Sequence, residues 1–154
     1  MMPAGVMAAD IAAGQPVSFG SIILCLEEPG SVTVRTVELV EPSGSVRLDS
    51  FALRPNPFVR QQPGVGAERS TLEELDFDPS VAQVVDTECP GEAEDETWDG
   101  GSELAFQVSY DGSTETASAS LNVTYEYASS GSRVLAIPFG VALCPGPCPD
   151  PSPP

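Results

Sequence analysis

Residues 103–127 constrain the fold of this chain more than any other stretch. Leu104, Phe106, Val108 and Tyr110 alternate with Glu103, Ala105, Gln107 and Ser109. Beyond Asp111-Gly112, the residues Ala117, Ala119, Leu121, Val123, Tyr125 and Tyr127 alternate with Thr116, Ser118, Ser120, Asn122, Thr124 and Glu126. A strand points successive side chains to opposite faces, so this period of two predicts strands with one buried and one wet face. Asp-Gly tolerates the positive φ angles of a tight turn, which predicts that the two strands pair as an antiparallel hairpin.

The rest of the chain extends the same pattern. Val17–Leu26 is apolar on both faces around Ile22-Ile23-Leu24, as in a central strand. In Val32–Val40, Val32 and Val34 share one parity and Val37 and Leu39 the other, which predicts a bulge near Arg35-Thr36. Val46–Leu53 repeats the slip between Val46/Leu48 and Phe51/Leu53, the mark of a bent strand passing between sheets. Val81–Asp86 is a short strand, and Arg133–Cys144 a last one whose Pro138 calls for an edge or a bulge. Ser70 and Glu73 form a capping-box spacing that would start one helical turn through Leu75. No stretch keeps a helical apolar repeat. Turn signals at this spacing predict an all-β sandwich of about seven to eight mostly antiparallel strands, with a barrel as the structural alternative.

The 154 residues suit one domain with one core. Residues 1–16 lack periodicity and read as a flexible N-terminal segment, 17–144 as the sandwich, and 145–154 as a proline-rich tail. No basic, apolar leader is visible at the N-terminus; an exported form would have lost its targeting segment or begun upstream. No run is long and apolar enough to span a membrane as a helix.

Charge and residue types narrow the function. With 23 acids, six arginines, and neither Lys nor His, the net charge is −17. Such a polyanion is repelled by nucleic acid and by anionic membrane surfaces, while cationic partners or divalent cations are permitted, and a protein or envelope partner stays open. Without His and Lys there is no Ser-His-Asp or Cys-His catalysis, no His metal ligand and no Schiff-base lysine.

The four cysteines Cys25, Cys89, Cys144 and Cys148 read as two disulfides of an oxidising compartment. A Cys₄ zinc site lacks the paired knuckles it needs. Cys25 and Cys144 end the first and last apolar strands, which lie side by side in many sandwiches; this favours Cys25–Cys144 with Cys89–Cys148. The competing pairing is Cys25–Cys89 with Cys144–Cys148.

The runs SIILCLEEPGSVTVRTVEL, SVRLDSFALRPNP, SELAFQVSYDG and VLAIPFGVALC resemble small secreted immunoglobulin-like domains of high-GC Gram-positive bacteria. The resemblance spans about Val17 to Cys144 and rests on scaffold patterns. It implies an immunoglobulin-like sandwich and a secreted or envelope location, and brings no catalytic or ligand residue.

Candidate sites are few. The acidic stretch 88–103 holds Glu94, Asp95, Glu96, Trp98 and Asp99, carboxylates of the kind calcium takes and an aromatic that can meet a sugar. It lacks the spacing of a formed calcium loop, and a solvated acidic loop is the ordinary reading. Glu73, Glu74, Asp76 and Asp78 could supply a carboxylate pair for glycoside hydrolysis, although acid-rich loops generate such pairs by chance. Asn122-Val123-Thr124 matches a glycosylation sequon in mid-strand. The expected function is a non-catalytic, extracytoplasmic interaction or structural module without metal or cofactor. The alternative is a calcium- or carbohydrate-binding module using 88–103.

Overall fold

Burial of apolar side chains at every second position organises the chain into an all-β structure. The computed structural model describes residues 4–57, 62–90, 100–128 and 130–148. In chain order the strands are β1 (Ala4–Ala8), β2 (Val17–Leu24), β3 (Val32–Leu39), β4 (Arg47–Pro55), β5 (Ala67–Glu68), β6 (Val84–Val85), β7 (Ser102–Ser109), β8 (Thr116–Ser118), β9 (Leu121–Tyr127), β10 (Gly131–Ile137) and β11 (Phe139–Leu143). One sheet has the order β4-β7-β2-β5, a second β10-β9-β3-β6, and a third β1-β11-β8. All pairings are antiparallel except the parallel β1–β11.

The second and third sheets share one long hairpin. β8 continues into β9 and β10 into β11, and the pairing slips by one residue across Pro138, from Ile137↔Leu121 to Val141↔Ser118. Proline cannot donate to a ladder, so it sits at the irregularity. This hairpin and β3 pack over β7 and β2. Val34, Val37, Leu121, Val123, Val141 and Leu143 meet Val17, Phe19, Leu104, Phe106 and Val108 in one core. Phe106 stacks on Phe19 at 5.8 Å and meets Phe139 edge-on at 6.0 Å, joining the layers.

Both phase slips are bulges. The β3–β9 register shifts between Val34 and Thr36, and Val34 and Val37 are both buried. The β4–β7 register shifts between Leu48 and Ser50. Contrary to expectation, β4 does not pass between sheets: it pairs with β7 along its whole length, and the bulge alone restores its phase.

Three further expectations are corrected. First, Asp111-Gly112 does not close a hairpin: β7 pairs with β2 and β4, whereas β8 and β9 lie in the facing layer. Period two reports which face is buried, not which strand is the neighbour. Second, residues 1–16 are not a loose segment throughout. β1 pairs with β11, Ile11 is buried, and the Tyr110 hydroxyl donates to the Ile11 carbonyl. Third, the disulfides are Cys25–Cys89 and Cys144–Cys148, with Cα atoms 4.9 and 5.4 Å apart, not Cys25–Cys144 and Cys89–Cys148. The first and last strands are indeed adjacent and parallel, but the first strand is β1, not β2. β2 lies in the other layer, where Leu26 bridges Glu88 and so brings Cys89 to Cys25. Of the expected proline-rich tail, 149–154 lie outside the described residues.

The face of β7 read as wet is covered. Segment 62–80 lies across it, and Val65, Leu72 and Phe77 pack on Ala52 and Ala105 as a second small core. Glu103 is fully buried there. Its Oε1 accepts from Arg54 Nε at 2.7 Å, and its Oε2 accepts from the Ser21 and Val65 backbone N–H groups at 2.8 and 2.7 Å. Arg54 also donates to the Leu75 carbonyl at 3.2 Å and lies 4.6 Å over the Phe77 ring. Gly20 leaves the room: a Cβ there would stand 2.8 Å from the Val65 Cβ and 3.1 Å from the carboxylate. The expected helical turn is a 3-10 turn at Glu73–Leu75. Its capping box is shifted by one residue, with Thr71 N–H donating to Glu74 and Glu74 N–H to the Thr71 hydroxyl.

Two outcomes are expected. Glu103→Ala leaves a partly buried guanidinium without its carboxylate and two backbone N–H groups without their acceptor, and should cost about 3 kcal/mol in denaturant unfolding; a loss comparable to an exposed substitution would show that the carboxylate does not hold the segment. The disulfides span 64 and 4 residues of sequence separation. On loop-closure entropy, replacing Cys25 and Cys89 by Ala should cost roughly 4 kcal/mol and replacing Cys144 and Cys148 about 2 kcal/mol. Equal losses would refute that ranking.

Candidate functional site

Burial falls away along the inner face of β9. Leu121 and Val123 are fully buried, whereas Tyr125 and Tyr127 are half-buried and mark where the core opens into a groove. Its floor is built from register: Tyr125 lies opposite Val34 and Arg133, and Val123 opposite Val37 and Leu135. Its wall is the chain leaving β2, Leu24-Cys25-Leu26-Glu27, with Val85 and Cys89. The wall is fixed by the Cys25–Cys89 bond, by Leu26 N–H to the Thr87 carbonyl at 2.8 Å and by Cys89 N–H to the Leu26 carbonyl at 2.7 Å.

The groove has a volume of about 340 Å³, within the range of small-ligand and side-chain pockets. Its lining side chains are mainly aliphatic, and among the described residues Glu27 and Arg133 are the charged ones. The Tyr125 and Tyr127 rings meet edge to face at 5.8 Å, and the Arg133 guanidinium sits 5.2 Å from the Tyr127 ring centre. Such a surface suits an apolar or aromatic group with a polar end. A second depression of about 420 Å³ runs from Leu53 to Ser102. Its arginine, Arg54, is already engaged by Glu103.

Of the residues proposed from sequence, Cys25 and Cys89 line the groove. Glu94, Asp95, Glu96, Trp98 and Asp99 lie outside the described residues. Of the flanking acids, Glu88 lies at the Leu26 bridge and Glu103 is consumed in the Arg54 network. Among the described residues no group of three or more acids or cysteines could hold a metal ion. Asn122 lies within β9, opposite Glu38 and Ala136.

Three of the four acids proposed for hydrolysis have local roles, and the fourth, Glu73, opens the 3-10 turn. Hydrogen bonds from the backbone and hydroxyl of Thr71 hold the Glu74 carboxyl below its ordinary pKa, and those from the Ser80 hydroxyl and backbone do the same for Asp78. A glycosidase acid needs its pKa raised. Asp76 closes the 3-10 turn with φ 66°. Apart from Cys25 and Cys89, the residues that form the groove do not stand out as a site in the sequence. The available signal was two tyrosines ending an alternating run, followed by Arg133 as the sole charge in a stretch without Asp or Glu from Tyr127 to Pro149.

Comparison with protein-family models, curated proteins and solved structures returns no match. No helix among the described residues is long and apolar enough to cross a membrane.

The lowered carboxyls carry a pH signature. A carboxylate whose pKa falls on folding contributes stability that is present above its unfolded pKa and is lost as pH falls through the folded value. Ser80→Ala should therefore return Asp78 toward its ordinary 3.8. Thr71→Ala should likewise return Glu74 toward 4.5. Carboxyl-carbon NMR titration reads both. Titrations unchanged by the substitutions would show that the hydroxyls do not hold these groups.

Proposed function

We propose that this chain is a non-catalytic, extracytoplasmic recognition module with an immunoglobulin-like arrangement, and that it binds through the groove of Tyr125, Tyr127, Arg133 and Leu135. The groove is the observation that carries this reading: an apolar concavity with an aromatic pair and one cation, braced by a disulfide. Two further features support it. Two disulfides suit an oxidising compartment. The order β4-β7-β2 facing β3-β9-β10, with a parallel first strand beside the last, suits an immunoglobulin-like sandwich.

The mainly aliphatic side chains of the lining can take the apolar part of a protein side chain, and the two tyrosines, Glu27 and Arg133 its polar end. The test is retention of the oxidised domain on isolated envelope and secreted fractions of its host. Tyr127→Ala should reduce retention by about tenfold or more without unfolding the domain. Retention equal to that of the unsubstituted chain, or no retention of either, would remove the reading.

A further inference from the structure

We propose that the free edge of β10 accepts an extended strand from a partner protein, with a carboxylate side chain of that strand opposite Arg133 and an apolar side chain two positions along, over Leu135. The inference rests on the groove reading and specifies its partner.

The first support is the edge itself. β1 lines β11 from Leu143 back to Phe139 and the described pairing stops there, while β10 continues the same edge and, among the described residues, pairs only with β9. A sheet edge presents unpaired N–H and C=O groups, and folds normally blunt it with short strands, bulges, charges or proline. The other edges of the two four-stranded sheets show these devices. β5 and β6 have two residues each. β4 carries Arg47, Asp49, Arg54 and Pro55 around its bulge. β10 shows little of this: seven residues, no bulge or proline within it, one charge, and exposed Val134 and Leu135 at 61% and 44%.

The second support is charge. Arg35, Arg47 and Arg54 each pair with a carboxylate, and Arg69 donates to the Ala9 carbonyl. Arg133 alone among the described arginines has no oxygen partner; its contact is the Tyr127 ring. No acid lies anywhere on β10. In a chain of net charge −17, Arg133 is a cation with no carboxylate partner on an edge strand free of acids, and Glu27 is the acid that shares its groove among the described residues. A second copy fits poorly, because its β10 would bring another arginine and no acid, and its body another −17.

The third support is geometry. Arg133 and Leu135 both line the groove mouth, so they point to one side of the sheet. Residues of an added strand opposite them point the same way. Main-chain bonds to β10 would supply affinity, and the two side chains specificity.

The test uses the full oxidised chain and a displayed library of short random peptides. Enriched peptides should carry Asp or Glu two residues from an apolar residue. Synthesised, they should bind Arg133→Glu about tenfold more weakly or worse, and a Lys replacing their acid should recover binding to that variant. Amides of residues 131–137 should gain protection from hydrogen exchange on binding. No enrichment, no dependence on Arg133, or self-association of the chain through β10 in sedimentation would overturn the proposal. If peptide binding is lost in Tyr127→Ala while the β10 amides stay unprotected, strand addition fails but the groove reading stands.

Discussion

The Arg54–Glu103 contact holds together parts of the chain that nothing local would join. Its carboxylate is reached from β4 by Arg54, from β2 by Ser21 N–H, and from segment 62–80 by Val65 N–H. These donors lie 49, 82 and 38 residues away in sequence. A buried carboxylate is costly unless charge and hydrogen bonds surround it, so all three must be in place together. The result is a sheet buried on both sides, by the main core on one and by Val65, Leu72 and Phe77 on the other. Such an ion pair contributes little net stability compared with a well-packed apolar replacement. What it supplies is one register of segment 62–80, since any slide of that segment withdraws Val65 N–H from the oxygen.

The opposite layer has no such cover. Among the described residues, the inner face of β9 past Val123 is backed by the chain leaving β2, its disulfide and Val85, and Tyr125 and Tyr127 are partly exposed. The two layers thus divide the work. The β4-β7-β2 sheet is covered on both faces, while among the described residues the β3-β9-β10 sheet has an open end and an unpaired edge. Cys25–Cys89 stands at the boundary, holding the covered layer's last turn as the wall of the groove.

Much of this was legible in the residues because burial forces local patterns. The slip at Arg35-Thr36 announces a bulge, since no straight strand can bury both Val32/Val34 and Val37/Leu39; the slip between Leu48 and Phe51 reads equally as a strand crossing between sheets, and only the pairing with β7 shows it to be a bulge. Pro138 announces a break for a similar reason. Pairing was not legible: alternation in 103–127 is equally satisfied by one hairpin or by strands in two facing sheets. β1, Ala4-Gly5-Val6-Met7-Ala8, has too little apolar contrast to show a period. Missing it displaced the first strand to β2 and the disulfide with it. Glu103 reads as a wet residue because its donors come from far along the chain. The groove was hidden because Tyr127, Arg133 and Leu135 become neighbours only through the β9–β10 register.

The parallel alignment of β1 with β11 also decides how the domain meets a pulling force. Tension applied between the start of β1 and the end of β11 draws these strands past each other along their common axis. The ladder from Ala4↔Phe139 to Ala8↔Leu143 is then loaded in shear, and its hydrogen bonds share the load and must yield together. Antiparallel end strands, pulled the same way, would peel apart one bond at a time. The Cys144 N–H to Ala8 carbonyl bond extends this clamp past β11, and Cys144–Cys148 locks the chain just beyond it. A domain with its ends joined in this way resists extension through bond geometry and not through a larger core.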